Sequence, residues 1–328
     1  MERQAIIAIR KRFPHFGLKK VRAKSLIADQ LEVAWPQAST IGDILKRAGL
    51  VETKRRQRRA VAQGEVVAGA NEPNGEWAID FKGHFRTRDG LRCDPLTLTD
   101  TASRYLLDVR IIEPTFAQVQ AVLERLFREV GLPEALRSDN GPPFGSVGAG
   151  GLSRLSVWLM KLGIEVRNIP PASPQDNARH ERMHRTLKDE TMHPPAADPR
   201  EQQQRFNRFC RYYNEDRPHE ALGQVPPAKL WRAPQRQMPT TIAQPWYDAD
   251  HDVRKVRRNG EIKWHGDTIF ISKALVDEPV GITEIDNGLH LVRFCRRDLG
   301  TLDASGRFHS FAPPRARLRR VVHTEEQR

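Results

Sequence analysis

Three acidic residues stand where phosphoryl-transfer chemistry could use them. Asp139 lies in Arg137-Ser138-Asp139-Asn140-Gly141-Pro142-Pro143-Phe144, a short apolar approach that ends in a glycine- and proline-rich turn. That pattern reads as a strand delivering one carboxylate into a loop. Asp80 sits upstream in Trp77-Ala78-Ile79-Asp80-Phe81, and Glu181 sits downstream in the polar stretch that follows Pro174. Two aspartates at strand ends and a glutamate on a helix suit a pair of hard cations, which prefer oxygen ligands. Two such ions about 4 Å apart clamp the attacking and leaving oxygens of a phosphodiester.

Glu181 also belongs to a rival pattern. His180-Glu181-Arg182-Met183-His184 is a literal His-Glu-x-x-His, the spacing that sets two zinc ligands on one helical face beside a general base. A zinc metallopeptidase through His180 and His184 is therefore the distant alternative. Against it stand Arg179, Arg182, Arg185 and Lys188, which make this helix strongly polar. A catalytically inactive DNA-binding remnant or regulator is the nearer alternative.

Apolar periodicity predicts the elements that position these residues. Strands are expected over 77–81, 91–99 and 105–112, a helix over 116–130, and a short strand up to Ser138. A helix over 152–162, a strand over 165–169 and a helix after Pro174 follow. Val119, Val122, Leu123, Leu126 and Phe127 form one face of the 116–130 helix. On the last helix Glu181, Arg185 and Lys188 share a face. Asp100 is read as structural. A further helix is expected over 201–214 and a linker over 226–245.

Upstream, three short helices are expected over 2–12, 18–31 and 41–48, with Ser39-Thr40 as the cap of the third. Three short helices with a tight middle connection suggest a helix-turn-helix, the third helix being the candidate for the major groove. Residues 253–311 alternate and turn repeatedly, at Asn259-Gly260, His265-Gly266, Asn287-Gly288 and Ser305-Gly306. A small five- or six-stranded β-barrel is the expected form. The division is 1–52 helix-turn-helix, 53–74 basic linker, 75–232 catalytic core with trailing helices, and 245–320 barrel for DNA binding or oligomerisation.

Asp80, the Ser138-Asp139-Asn140-Gly141 turn and Asn177-x-x-x-Glu181 together resemble the DDE triad of insertion-sequence transposases with a retroviral-integrase-like core. The segment Tyr213 to Leu222 and the N-terminal stretch up to about Val51 also resemble that family. The resemblance implies an RNase H-like α/β core in which Asp80, Asp139 and Glu181 hold two Mg²⁺ (or Mn²⁺). It implies end cleavage and strand transfer of a mobile element, on DNA, by a homo-oligomer at a bacterial-type nucleoid. Arg185 and Lys188 would approach the DNA backbone. The family often carries a further helix-turn-helix upstream, so a truncated reading frame is expected, and Ala178 stands where the family usually has glycine.

Charge fits a polyanionic partner. The chain of 328 residues has a net charge of +13, and residues 1–60 hold 15 Lys/Arg against 5 Asp/Glu. The run Lys54, Arg55, Arg56, Arg58 and Arg59 forms no core and suits an arm tracking phosphates. Three scattered cysteines suggest neither a disulfide framework nor a zinc ribbon, which fits a reducing cytosol. No apolar run approaches a membrane span.

Overall fold

The computed structural model describes residues 2–28, 35–51, 72–146, 148–169 and 174–311, with side chains omitted at 25–28 and 174–179. The basic run Lys54 to Arg59, the basic cluster from Arg315 to Arg320 and the expected end of the second helix at 29–31 lie outside the described residues. The chain divides into two compact units, Met1–Arg137 with Gln175–Met238, and Ser138–Pro174 with Pro239–Arg328.

The first unit opens with α1 (Glu2–Arg12), α2 (Leu18–Ala28) and α3 (Ala38–Arg47). Ile6, Phe16, Val21, Ile41 and Leu45 bury together as the core of this bundle. The expected cap does not form. Gln37 holds the N-cap position without a side-chain bond, and Ser39 and Thr40 lie inside the first turn of α3.

The central strand of this unit is β1 (Trp77–Phe81). Its sheet neighbours are β4 (Pro95–Asp100), with β5 (Leu106–Ile111) beyond, and β6 (Ala135–Ser138) on the other side. The β1–β4 and β4–β5 pairs are antiparallel, while β1 and β6 run parallel with Trp77 opposite Leu136. A small hairpin of β2 (Phe85–Arg86) and β3 (Arg92–Cys93) interrupts the strand expected over 91–99. Pro95, which has no N–H to give a ladder, is the first residue of β4, a position where proline is tolerated.

Both faces of β1 are covered, so Trp77, Ala78 and Ile79 are all buried. On one side is α4 (Phe116–Val130), whose five predicted inner residues are buried and whose Phe127 ring lies 6.0 Å from that of Trp77. Thr115 caps it by accepting from the Gln118 N–H. On the other side is α6 (Pro174–Thr191), backed by α7 (Pro199–Glu215). Met183, Leu187, Phe206, Phe209 and Tyr213 from these two helices pack with Leu106 and Val109 of β5.

The second unit contains α5 (Arg154–Lys161) and β7 (Glu165–Asn168), after which the Ile169 N–H donates to the Ser138 carbonyl. Its largest sheet has the order β14 (Phe308–Ser310), β13 (Arg297–Leu302), β12 (Leu289–Phe294), β11 (Pro279–Asp286) and β8 (Asp252–Lys255), antiparallel throughout. A separate hairpin joins β9 (Glu261–Trp264) to β10 (Asp267–Phe270) through His265-Gly266, where Gly266 has φ +93°.

The hairpin and the larger sheet share one core, built from Val256, Ile262, Trp264, Val280, Val292 and Phe294. Leu152 and Val157 join the same core from the segment around α5. Among the described residues the strands do not close into the expected barrel. A turn of 3-10 helix at Lys273–Leu275 and Asp277 at φ +68° lead the chain from one sheet to the other, instead of extending the ladder.

Candidate active site

Asp80 is the fourth residue of β1 and pairs in register with Thr97 of β4. Its side chain is mostly buried, 19% exposed. A carboxylate in such a place is costly without compensation by polar groups or a cation. The covering helix supplies polar groups. On α6, His180, Met183, His184 and Leu187 are buried, whereas Glu181, Arg185 and Lys188 are exposed. The 3.6-residue period therefore sorts the polar stretch into a histidine-bearing inner face and a charged outer one.

Thr97 is the hub of the inner face. It is fully buried, and its hydroxyl donates to the Asp80 carbonyl at 3.0 Å. His180 Nε2 and His184 Nε2 each lie 2.7 Å from the same oxygen. A hydroxyl has one hydrogen and two lone pairs, so both imidazoles must donate from Nε2. His180 Nδ1 then accepts from Thr99 Oγ1 at 3.2 Å. His184 Nδ1 is left as a lone pair, 4.0 Å from Asp80 Oδ2.

Burial keeps both rings neutral. It lowers the pKa of His180 to about 3, with the Arg137 guanidinium adding to the effect. It lowers that of His184 to about 2, helped by His180 and Lys82. Desolvation penalises the charged imidazolium in each case.

Asp139 follows β6 directly and belongs to the second unit, while Asp80 and Glu181 belong to the first. The Asp139 residue reaches solvent, yet partial burial of its carboxyl raises its pKa. The Gly141 N–H, 3.2 Å from Oδ1, pulls the other way. Gly141 has a local reason: a Cβ there would stand 3.3 Å from Asp139 Oδ2. Asp100 commits its carboxylate to a turn, accepting from the Asn74 N–H at 2.7 Å and from the Ser103 N–H and hydroxyl. That agrees with its structural reading.

Among the described residues, the group that gathers around Asp80 is therefore His180 and His184, with one ligand-capable atom of each within 4.8 Å of the others. Sequence reasoning did not pair these histidines with Asp80. The signal was the His-x-x-x-His spacing, which fixes a shared helical face but not what that face meets.

Two integrase core domain models match the chain, one over residues 70–174 and one over 162–227. An insertion element IS476 uncharacterized 39.2 kDa protein of Xanthomonas euvesicatoria is 28% identical over 185 residues, 55% of this chain and 51% of that protein. An insertion element IS407 uncharacterized 31.7 kDa protein of Burkholderia multivorans is 29% identical over 190 residues, 57% of this chain and 66% of that protein. Among solved structures, the HTLV-2 integrase catalytic core domain in complex with magnesium aligns with a TM-score of 0.39 and 15% identity. That alignment covers 49% of this chain and 98% of the other.

Together the two matches span residues 70–227. The chain is similar there to proteins of insertion elements, and it spans between half and two-thirds of the length of these two relatives.

Proposed function

We propose that the chain is a DDE transposase, carrying out metal-dependent end cleavage and strand transfer of a mobile element. One observation carries this reading. Asp80, Asp139 and Glu181 all fall within the integrase-core matches, and Asp80 lies on β1 while Asp139 directly follows β6, two strands that pair in parallel.

The donor chemistry fits divalent cations. Three carboxylates offer only oxygen, the choice of Mg²⁺ or Mn²⁺. The raised pKa of Asp139 marks a charge that a cation would stabilise. In this reading Asp80, Asp139 and Glu181 hold two such ions. When bound, the pair supplies activation of the attacking oxygen and neutralisation of charge on the leaving one. The chain's own part is to fix the carboxylates from strand ends and a helix. It needs no serine or tyrosine nucleophile and forms no covalent bond to DNA.

The exposed face of α6 suits a DNA backbone, since Arg185 and Lys188 stand one and two turns beyond Glu181. We assign the three-helix bundle to DNA as a helix-turn-helix with α3 as its reading helix, and the run Lys54, Arg55, Arg56, Arg58 and Arg59 to phosphates. The sheets of the second unit would serve DNA binding or oligomerisation, in a homo-oligomer that pairs two element ends at the nucleoid. No helix among the described residues is long and apolar enough to cross a membrane.

The test is a labelled duplex carrying the element's terminal sequence. Cleaved and joined products are expected in Mg²⁺ or Mn²⁺ and none in Ca²⁺. Absence of products in every metal, with binding to the duplex intact, would instead favour a DNA-binding remnant.

A further inference from the structure

We infer that the cavity between the end of α6 and α7 is a binding site for a nucleotide, that is, for an aromatic ring carrying a phosphate. Three observations carry it. The first is size and access. The cavity measures about 420 Å³, within the roughly 300–1,000 Å³ of small-molecule sites. It reaches solvent at His193, Pro194 and Arg208, all exposed, and it lies wholly within the first unit.

The second is the wall. Arg205, Arg208, Phe209 and Tyr212 recur at three- and four-residue spacing, which sets them on one face of α7. Phe209 and Tyr212 give that face an aromatic surface, and Phe13, stacked on Tyr212 at 5.5 Å, fixes the tyrosine ring. An apolar wall suits a flat ring, and a few polar groups beside it set the ring's orientation.

The third is charge. Glu190, the acidic residue of the lining, is paired with the buried Arg217. Arg205 is held by the Glu201 carboxylate at 2.8 Å and the Pro194 carbonyl at 2.9 Å, so its planar guanidinium is fixed beside the cavity. Arg208 makes no ion pair among the described residues. Guanidinium groups match phosphate oxygens with paired N–H donors. A bare anion would leave the aromatic wall unused, and an uncharged ring would leave Arg208 unused. A nucleotide uses both.

A free mononucleotide and an unpaired nucleotide of a DNA strand offer the same chemistry, and the experiment separates them. The full chain is titrated with adenosine 5′-monophosphate in a calorimeter, and amide hydrogen exchange is read at 190–194 and 205–212. Saturable binding with slowed exchange in these segments is expected. Arg208→Ala should weaken it roughly tenfold, the loss of one charge-assisted pair. Arg211→Ala, at an exposed position of α7 outside the cavity, should stay within about twofold of the parent. If a short single-stranded oligonucleotide slows exchange in these segments and the mononucleotide does not, with the same loss in Arg208→Ala, the site stands and its ligand is a strand nucleotide. Displacement of the mononucleotide by equimolar adenosine or inorganic phosphate would overturn the ligand class. Unslowed exchange with both probes, or binding unchanged in Arg208→Ala, would overturn the site. DNA cleavage and joining are not read in this experiment, so its outcome is independent of the transposase reading.

Discussion

His184 on α6 points its Nδ1 at the Asp80 carboxylate of β1 across 4.0 Å, while its Nε2 is tied to Thr97, the residue opposite Asp80 on the neighbouring strand. One buried hydroxyl therefore links the strand that carries Asp80 to the helix that carries Glu181. Both backbone position and helix rotation depend on it.

Removing that hydroxyl should be costly. Thr97→Val keeps the shape but leaves two buried N–H groups without an acceptor, each worth about 1–3 kcal/mol. Thr97→Ser retains the bonds and should lose much less. Thermal unfolding of the two variants side by side checks this. Equal melting temperatures would show that the histidines find other partners.

A second prediction concerns the N-terminal bundle. The Phe13 ring stacks on Tyr212 of α7 at 5.5 Å, Lys24 pairs with Asp216 at 2.7 Å and Lys19 with Glu220 at 2.6 Å. Aromatic pairs add about 0.5–1.5 kcal/mol beyond their buried area, and exposed ion pairs add less. Tyr212→Ala should therefore speed amide hydrogen exchange in α1 and the start of α2 and leave β1 and β4 protected. Uniform protection in the variant would show that the bundle holds without this stacking.

Acid stability follows from His219. Burial lowers its pKa to about 3, with Lys20 and Arg217 adding to the effect. The unfolded chain binds a proton near the ordinary value of 6.5 and the folded one does not. The unfolded state therefore holds more protons between these limits, and stability falls as pH drops from about 6.5 toward 3. The parent should lose stability relative to His219→Gln across that window and run parallel to it above about pH 7. Denaturant melts at several pH values measure the difference.

The basic run from Lys54 gives a salt prediction. Replacing Arg55, Arg56, Arg58 and Arg59 with alanine should weaken DNA binding. The log–log salt slope should flatten by roughly 0.9 for each phosphate no longer neutralised. An unchanged slope would make the run a solvated linker.

Local pattern was enough for β1 and α4, whose ends match the apolar periodicity residue for residue. It was enough to read Asp100 as structural and to group Glu181, Arg185 and Lys188 on one face of α6. It failed where the answer lies across the chain. Thr97 is an ordinary strand threonine until register sets it opposite Asp80, and register is not a local property. The His-x-x-x-His pair was visible, but its third partner lies on a distant strand. Barrel closure likewise depends on which edges pair, and repeated glycine turns do not specify that. The cap at Ser39-Thr40 misplaced the start of α3 by a few residues, the usual uncertainty at a helix end.

In the proposed transposase, Asp80 and Asp139 are metal-holding carboxylates of a strand-transfer site. The most direct measurement is strand transfer of a labelled element end by Asp80→Asn and Asp139→Asn in Mg²⁺, run beside a gel shift on the same duplex. Joined product should fall by roughly a hundredfold or more in both variants, with DNA binding within a few-fold of the parent. Parental levels of joined product in both variants would contradict that role.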